Sequence, residues 1–547
     1  MRIVLINWAG VRDGASHGGG VNGYVQGLAL RLVELGHEVY SVSSGKAYVP
    51  AVLSESPGEC VARRLDDFWG VRVIEIVNSP VVAPGIFQFR DPLGEISSPV
   101  LEREFTRLMH LIEPDVVHFH NIEGFSVGCV DAARTPSATW PGAKVVFSLH
   151  NYHTLCPQVY LMQGGRRPCF DYDNGHACLS CVEGGDPRAE MRARCAGRAP
   201  TPAPSEVTEA QQPAFGFVRL GIQRLLARPV QAPIEPAWPG RALRSTADLN
   251  PDGPLPKPAP PAPAMWFTPE AEEWAPLSNE VVNELPNDRV PSEYGRRRRS
   301  MVEMLSRCDR VLAVSSFVKQ KFESLGVSRR VTELMPIGSR MPEFVPSDWN
   351  LISEPPPFGP APTRRIRLAF IGYNNFAKGL HMLADSLDLL VPEVLDRFEL
   401  SVHAKDVHTI ERRLRLLEGR IGALHVHGGY AYEEVPRLLC AKDIGVVPSV
   451  WWDNGPQTVM EYFACGLPVL GAALGGIPDL VRHGENGWLF RGNDRFDLAS
   501  RLAKLAASPG DIDAARRGVR APRSMSAHVD ELAGLYQRCL EAGAGLR

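Results

Sequence analysis

No apolar run in this 547-residue chain reaches the roughly 18 residues needed to cross a bilayer, which argues against a membrane-spanning helix. Charge of one sign is also missing. The 59 Lys and Arg stand against 62 Asp and Glu, a net of -3, so no overall basic field points to nucleic acid. No Asp-x-Asp motif meets a suitable strand end, which removes the usual means of holding a divalent ion beside a diphosphate. A secretory leader is not apparent either: MRIVLIN reads as a buried first strand, so the eleven cysteines are expected to be reduced thiols in a cytoplasmic protein, soluble or peripheral at the inner face of the membrane. At about 150 residues per domain, the length allows three or four domains, or two large ones carrying an insertion; the second division fits the composition better.

The densest signal runs from Val447 to Pro478, VPSVWWDNGPQTVMEYFACGLPVLGAALGGIP, where a strand, a carboxylate-bearing turn, a helix start and a glycine loop follow one another. Gly455 and Pro456 suit a helix opening, since proline at a first helical position loses no needed hydrogen bond. The amides of Gln457, Thr458 and Val459 are then expected to be unpaired, and such a helix start holds a diphosphate without a metal. Glu461 falls one turn in, as an acceptor for the vicinal hydroxyls of a ribose, and Asp453 precedes the helix on the sugar side.

These residues resemble the retaining GT-B glycosyltransferases of family 4, whose hallmark is two acidic residues separated by seven others in PS-x-W-x-E-N-x-P-x-x-x-x-E. Asp453 stands where that pattern has Glu, one methylene shorter, while Glu461 is in register. The resemblance implies an α/β chain of GT-B type, with two Rossmann-like domains facing across a cleft. The first would bind the acceptor and the second a nucleotide-diphosphate sugar, with retention at the anomeric carbon and no catalytic cofactor.

Earlier in the chain, Ile3 to Ile6 reads as a central parallel strand, followed by a glycine loop SHGGGVNG and an amphipathic helix ending at Gly36. Gly19 and Gly20 let a ligand approach the backbone closely, and the resemblance places that loop beside the diphosphate and acceptor. Two further strands end on histidine, at His118 and His120 and at His150, and groups at such carboxyl ends gather round ligands in open α/β sheets. In the family a T-x-H-D string supplies a histidine to the donor sugar; S-L-H-N here carries that role to His150, with Asn151 replacing the customary Asp.

Cys156, Cys169, Cys178 and Cys181 are close in sequence, and four thiolates suit one tetrahedral structural zinc site, with His176 as a substitute ligand. An iron-sulfur cluster has the same ligand count and stays open, as do free thiols. From about Arg188 the chain turns rich in Pro and Ala, and FGFVRLGIQRLLARP within it suits a short amphipathic helix with Arg219, Arg224 and Arg228 on its polar side. The basic run Arg296 to Arg299 is read as a solvated face, in preference to a patch for anionic lipid or a lipid-linked acceptor.

A Pro-rich hinge precedes IRLAFIGYNNFAKG, which places Gly372 at a strand end and Lys378 beside a helix start, where an ammonium meets a departing diphosphate. Family members usually add an arginine just after the first glycine; Tyr373, Asn374 and Asn375 occupy that region here. Gly428 and Gly429 fall near the expected base pocket. The expected division is 1–187 for the first part of the acceptor domain, with a Cys-rich element at 156–181, and 188–291 for a Pro/Ala-rich, largely disordered insertion. The first domain resumes at 292–345, a linker follows at 346–364, the nucleotide-sugar domain spans 365–520, and 521–547 forms a C-terminal helix packing back on the first domain. The expected partners are a nucleotide-sugar donor, a glycan or lipid-linked acceptor, and a membrane surface touched peripherally. A nucleotide-sugar epimerase or hydrolase on the same fold, and a non-catalytic nucleotide-binding scaffold, are the alternatives; an intact Glu461 and Lys378 favour catalysis.

Overall fold

Short runs of β-branched and aliphatic residues form the strands, and the central ones are buried along all or nearly all of their length, as expected of parallel strands covered on both faces. The computed structural model describes residues 1–54, 56–181, 184–197, 279, 288–346, 349, 355–358 and 364–544. The first sheet contains β1 (Arg2–Ile6), β2 (Glu38–Ser44), β3 (Val61–Arg64), β4 (Arg72–Val77), β5 (Val116–Phe119) and β6 (Lys144–Leu149). A small hairpin of β7 (Met162–Gln163) and β8 (Arg167–Pro168) follows, and β9 (Arg310–Ala313) and β10 (Thr332–Leu334) complete the first sheet. Its order is β10-β9-β6-β5-β1-β2-β4-β3, parallel throughout except for the edge strand β3.

The second sheet contains β11 (Ile366–Tyr373), β12 (Phe398–Lys405), β13 (Ala423–His427), β14 (Ile444–Val447), β15 (Val469–Ala472) and β16 (Gly487–Phe490). Its order is β13-β12-β11-β14-β15-β16, wholly parallel. In each sheet the order reverses beside one strand, β1 in the first and β11 in the second. At such a point neighbouring connections depart in opposite directions and leave a crevice at the carboxyl ends. The fold is thus two Rossmann-like α/β domains.

The glycine loop expected after β1 is drawn into a helix, α1 (Gly14–Glu34), which breaks only at Gly19 (φ 64°, ψ −163°). That conformation lies outside the reach of residues with a Cβ, so the glycine sets the kink while the flanking residues keep helical bonding. The C-terminal helix Met525–Ala544 packs against α1, where the Tyr24 hydroxyl meets His528 Nε2 at 2.6 Å, and it reaches β5, where the Tyr536 hydroxyl meets His118 Nδ1 at 2.5 Å.

Within the insertion as read from sequence, a helix Pro187–Cys195 packs on the first domain. Asp186 caps it, and Arg194 donates to the carbonyls of Gly45 and Lys46 at 2.8 and 3.2 Å. The helix with Arg219, Arg224 and Arg228 lies outside the described residues. In the hinge, Trp349 is buried with its indole on the Cys465 carbonyl, and Phe358 lies under the Arg364 guanidinium, so both dock on the second domain.

The basic run overturns its sequence reading. Arg296 stays exposed, but Arg297 is fully buried and Arg298 nearly so. Arg297 donates to both oxygens of Glu95, at 2.6 and 3.1 Å, and His153 Nε2 stands 2.7 Å from the same carboxylate. Arg298 lies 3.3 Å over the Tyr172 ring and donates to the Leu155 carbonyl. A run of like charges on a helix turns through all faces, so two of the four were bound to point inward, and both met partners there.

Candidate active site

The crevice at the carboxyl ends of β11 and β14 gathers the acidic pair and the lysine. Asn375 caps the turn after β11, its side chain accepting from the Lys378 amide at 3.0 Å, and this turns the lysine toward the loop that follows β14. There Lys378 Nζ donates to Asp453 Oδ2 at 2.7 Å, and the ammonium lies 5.6 Å from the Trp451 ring. Asp453 is buried, and its backbone is fixed because its carbonyl accepts from the Gly476 amide at 2.7 Å. Gly475 (φ 57°) must be glycine, since a Cβ there would come within 2.1 Å of the Asp453 carbonyl oxygen.

Glu461 is on the helix Gln457–Ala464 and is 6% exposed. Burial lifts its carboxyl to about 7, and the Lys378 charge pulls the other way. Tyr373, Tyr430 and Tyr432 are near enough to feel the Glu461 charge; burial chiefly raises each phenol, and that charge raises it further. No side chain caps this helix start, but the Val459 amide donates to the Pro456 carbonyl at 3.1 Å. The expectation of three unpaired amides is therefore corrected for Val459: Pro456 has extended backbone, which brings its carbonyl over the first turn. Gly372 (φ 135°), next to last in β11, faces Thr458, whose Cγ2 would lie 3.9 Å from an added Cβ.

The first domain reaches the same helix start. The Gln457 side chain donates to the Gly20 carbonyl at 2.8 Å, which brings the Gly19–Gly20 kink to the start of the Gln457–Ala464 helix. Tyr152 donates its hydroxyl to the Trp452 carbonyl at 2.9 Å, and the Asn375 amide donates to the Tyr160 hydroxyl at 3.3 Å. Neither Tyr152 nor Tyr160 was singled out from the sequence; their place just after the histidine string at the end of β6 was the available signal. Gly428 and Gly429 follow β13, with Tyr430 next in the chain. His150 stands at the end of β6, its Nε2 3.2 Å from His120 Nδ1 and its ring 4.8 Å from that of Tyr24. His118 and His120 are fully buried behind it.

The four cysteines of the 156–181 element are free thiols. Burial raises Cys156, Cys169 and Cys178, the last to about 12, and the neighbouring thiols add to each rise. Cys181 Sγ accepts from the Gly164 amide at 3.1 Å and the Gln158 side chain at 3.3 Å. His176 instead meets the Val290 carbonyl at 2.8 Å. Among the described residues, no three His, Cys, Asp or Glu side chains come together as a metal-holding group. The thiols thus face one region without closing into a ligand set.

Two family models match the chain: Glycosyltransferase Family 4 over residues 18–169 and Glycosyl transferases group 1 over residues 365–508. The chain therefore carries the paired domains of group 1, family 4 glycosyltransferases on a GT-B fold. Among curated relatives, it is 26% identical over 249 residues to the putative colanic acid biosynthesis glycosyltransferase WcaL of Salmonella typhimurium, covering 43% of this chain and 58% of that protein. It is 40% identical over 109 residues to a D-inositol 3-phosphate glycosyltransferase of Mycolicibacterium vanbaalenii, covering 20% of this chain and 24% of that protein. It thus spans just over half the length of the first relative and a quarter of the second. Among solved structures, sucrose-phosphate synthase from Thermosynechococcus elongatus superposes with a TM-score of 0.55 at 15% identity, covering 99% of this chain and 100% of that one. HepE from Anabaena in complex with UDP gives 0.51 at 14%, covering 98% and 100%.

Proposed function

We propose that this chain is a retaining glycosyltransferase that moves a sugar, most simply a hexose, from a nucleotide-diphosphate sugar to a glycan, lipid-linked or other cell-envelope acceptor. The observation that carries this reading is the convergence of Lys378, Asp453 and Glu461 with the uncapped start of the Gln457–Ala464 helix in one crevice, met from the other domain by Gly20. Glu461, when ionised, accepts from the ribose hydroxyls. Gly19, Gly20, Gly372 and the Gln457 and Thr458 amides line the diphosphate, Gly428 borders the base, and Asp453 and His150 face the sugar.

In the transfer the bond between the anomeric carbon and the diphosphate oxygen breaks while the acceptor oxygen bonds to the same face. The acceptor proton passes to the departing phosphate oxygen. Lys378 and the helix start stabilise the charge that develops on the diphosphate, the role a divalent ion plays elsewhere. HepE is described in complex with UDP, and WcaL is named for colanic acid biosynthesis, so a uridine diphosphate sugar and an envelope-type acceptor are the first to assay. Among the described residues no helix is long and apolar enough to cross a membrane, so a lipid-linked acceptor would be reached by peripheral contact.

We propose also that the cysteine element takes a structural zinc ion. The support is chemical: burial raises the pKa of Cys156, Cys169 and Cys178 and the neighbouring thiols raise it further, a repulsion that a bound cation would relieve, and Cys181 already accepts two N–H bonds.

The test of the main reading is turnover of a nucleotide-sugar panel in EDTA, with circular dichroism to show that the fold survives and NMR of the product's anomeric configuration. Turnover with retention is expected. Activity lost from folded protein and restored only by magnesium or manganese, or an inverted product, would overturn it.

A further inference from the structure

His150 does not stand alone at the end of β6. Behind it is a closed set of rings: His120 at the end of β5, His118 two residues earlier with its ring 3.9 Å from that of His120, Tyr24 of α1, and His528 and Tyr536 of the C-terminal helix. His118 is satisfied in either tautomer, since both its ring nitrogens meet hydroxyls, Tyr536 at 2.5 Å and Ser148 at 2.8 Å, and a hydroxyl can donate or accept. His120 is different. Its Nδ1 meets His150 Nε2, while its own Nε2 is buried with no hydrogen-bond partner.

Two neutral imidazoles share that contact in one of two ways. If His150 donates from Nε2, the His120 proton must sit on Nε2, leaving a buried N–H without a partner. If His120 donates from Nδ1, only a lone pair is left unpaired at its Nε2. Orphaned buried N–H groups are the rarer and costlier defect, so the second arrangement wins. We infer that His120 is a positioning residue: its Nδ1–H donates to His150 Nε2 and so holds His150 in the Nδ1–H tautomer, which offers a ligand in the cleft a hydrogen-bond donor. A donor there suits an acceptor oxygen of the transferred sugar or its phosphate; this part rests on the proposed placing of His150 at the donor sugar. Burial keeps His150 neutral, its pKa drawn down to about 3, so the tautomer is what its surroundings select.

The tautomer is readable without substrate. In protein labelled with 15N-histidine, two-bond proton–nitrogen correlations distinguish a protonated from a bare ring nitrogen, and the His150 signals are those missing from a His150→Gln variant. The expected spectrum has His150 protonated at Nδ1 and bare at Nε2; protonation at Nε2 overturns the inference. His120→Phe keeps an aromatic ring against His118 but cannot donate. It should shift His150 toward the Nε2–H form and weaken nucleotide-sugar binding by up to about tenfold, the worth of one neutral hydrogen bond. His120→Asn, with an amide N–H near the Nδ1 position, should restore both. If His120→Phe does not fold, the wild-type spectrum still decides. An Nδ1–H spectrum in a protein that turns over no nucleotide-sugar would leave the tautomer standing and remove the transferase reading alone.

Discussion

Glu461 couples its chemistry to pH in two opposing directions. Its folded pKa of about 7 lies above the ordinary carboxylate value of 4.5, so the group favours the folded state fully below pH 4.5, and that contribution is lost as pH rises through 7. The proposed ribose contact needs the ionised form, so nucleotide affinity should rise over the same interval as stability falls. Titration calorimetry from pH 5.5 to 8 should show affinity climbing to a plateau above pH 7, and Glu461→Gln should be weak and flat. A wild-type affinity independent of pH would contradict the account.

Lys378 is paired with Asp453 at 2.7 Å. Lys378→Ala should lower turnover by roughly two to three orders of magnitude, as lost transition-state donors do. Asp453→Ala should be milder toward nucleotide binding than Glu461→Ala, because its proposed place is on the sugar side. Steady-state kinetics with competition by nucleotide diphosphate separates the two effects. Asn375, one of the three residues in the region where the resemblance implies a second cation, caps the lysine turn while bonding Tyr160, a positioning role that the resemblance gave no reason to expect.

At the level of elements, the strands and the acidic helix were legible because buried parallel strands and a Gly-Pro helix opening leave local marks. The Val459 amide was misread because the extended backbone of Pro456 is a detail of the turn, and the basic run because helical charge patterning does not say which face meets a buried carboxylate. The pair Glu95–Arg297 ties the helix Glu293–Arg307 to the segment between β4 and β5, 202 residues earlier, and His153 beside it adds the segment after β6, which no local pattern reveals. Opposite charges hold Glu95 down at about 2 against the cost of burial, so its contribution is present above pH 4.5 and lost as pH falls toward 2. Arg297→Ala leaves a buried carboxylate unpaired and should cost about 3–5 kcal/mol in urea unfolding at neutral pH. A loss well under 1 kcal/mol would show that the pair is replaceable. For the cysteine element, elemental analysis of protein prepared without chelator should find about one zinc per chain. Absence of both zinc and iron, or metal content unchanged when Cys178 and Cys181 become Ser, would remove the proposed site.

In the whole molecule, the two sheets were legible as repeated strand-helix units and the return of the C-terminal helix to the first domain was expected, but the residue pairs that make these long-range contacts were not legible. Tyr24 with His528, His118 with Tyr536, and Gln457 with Gly20 join residues more than four hundred positions apart. Burial lowers the pKa of His118, His120, His150 and His528, the last two to about 3. Their uncharged packing therefore supports the fold above about pH 6.5, and this support is lost as pH falls from there toward 3. His528→Phe should lessen the decline in urea midpoint between pH 6.5 and 5.

The proposed binding of a nucleotide diphosphate in the crevice of the second domain, through Glu461 and the helix start and without a divalent ion, is open to measurement. Its most direct test is calorimetric titration of nucleotide diphosphates, UDP first, in EDTA at pH 8, into the wild type and Glu461→Ala. Saturable binding of at least one nucleotide by the wild type is expected, weakened about tenfold or more in the variant, since a charged hydrogen bond is worth about 1.5–3 kcal/mol. Binding by folded wild type only when magnesium or manganese is added, or equal binding by both proteins, would contradict it.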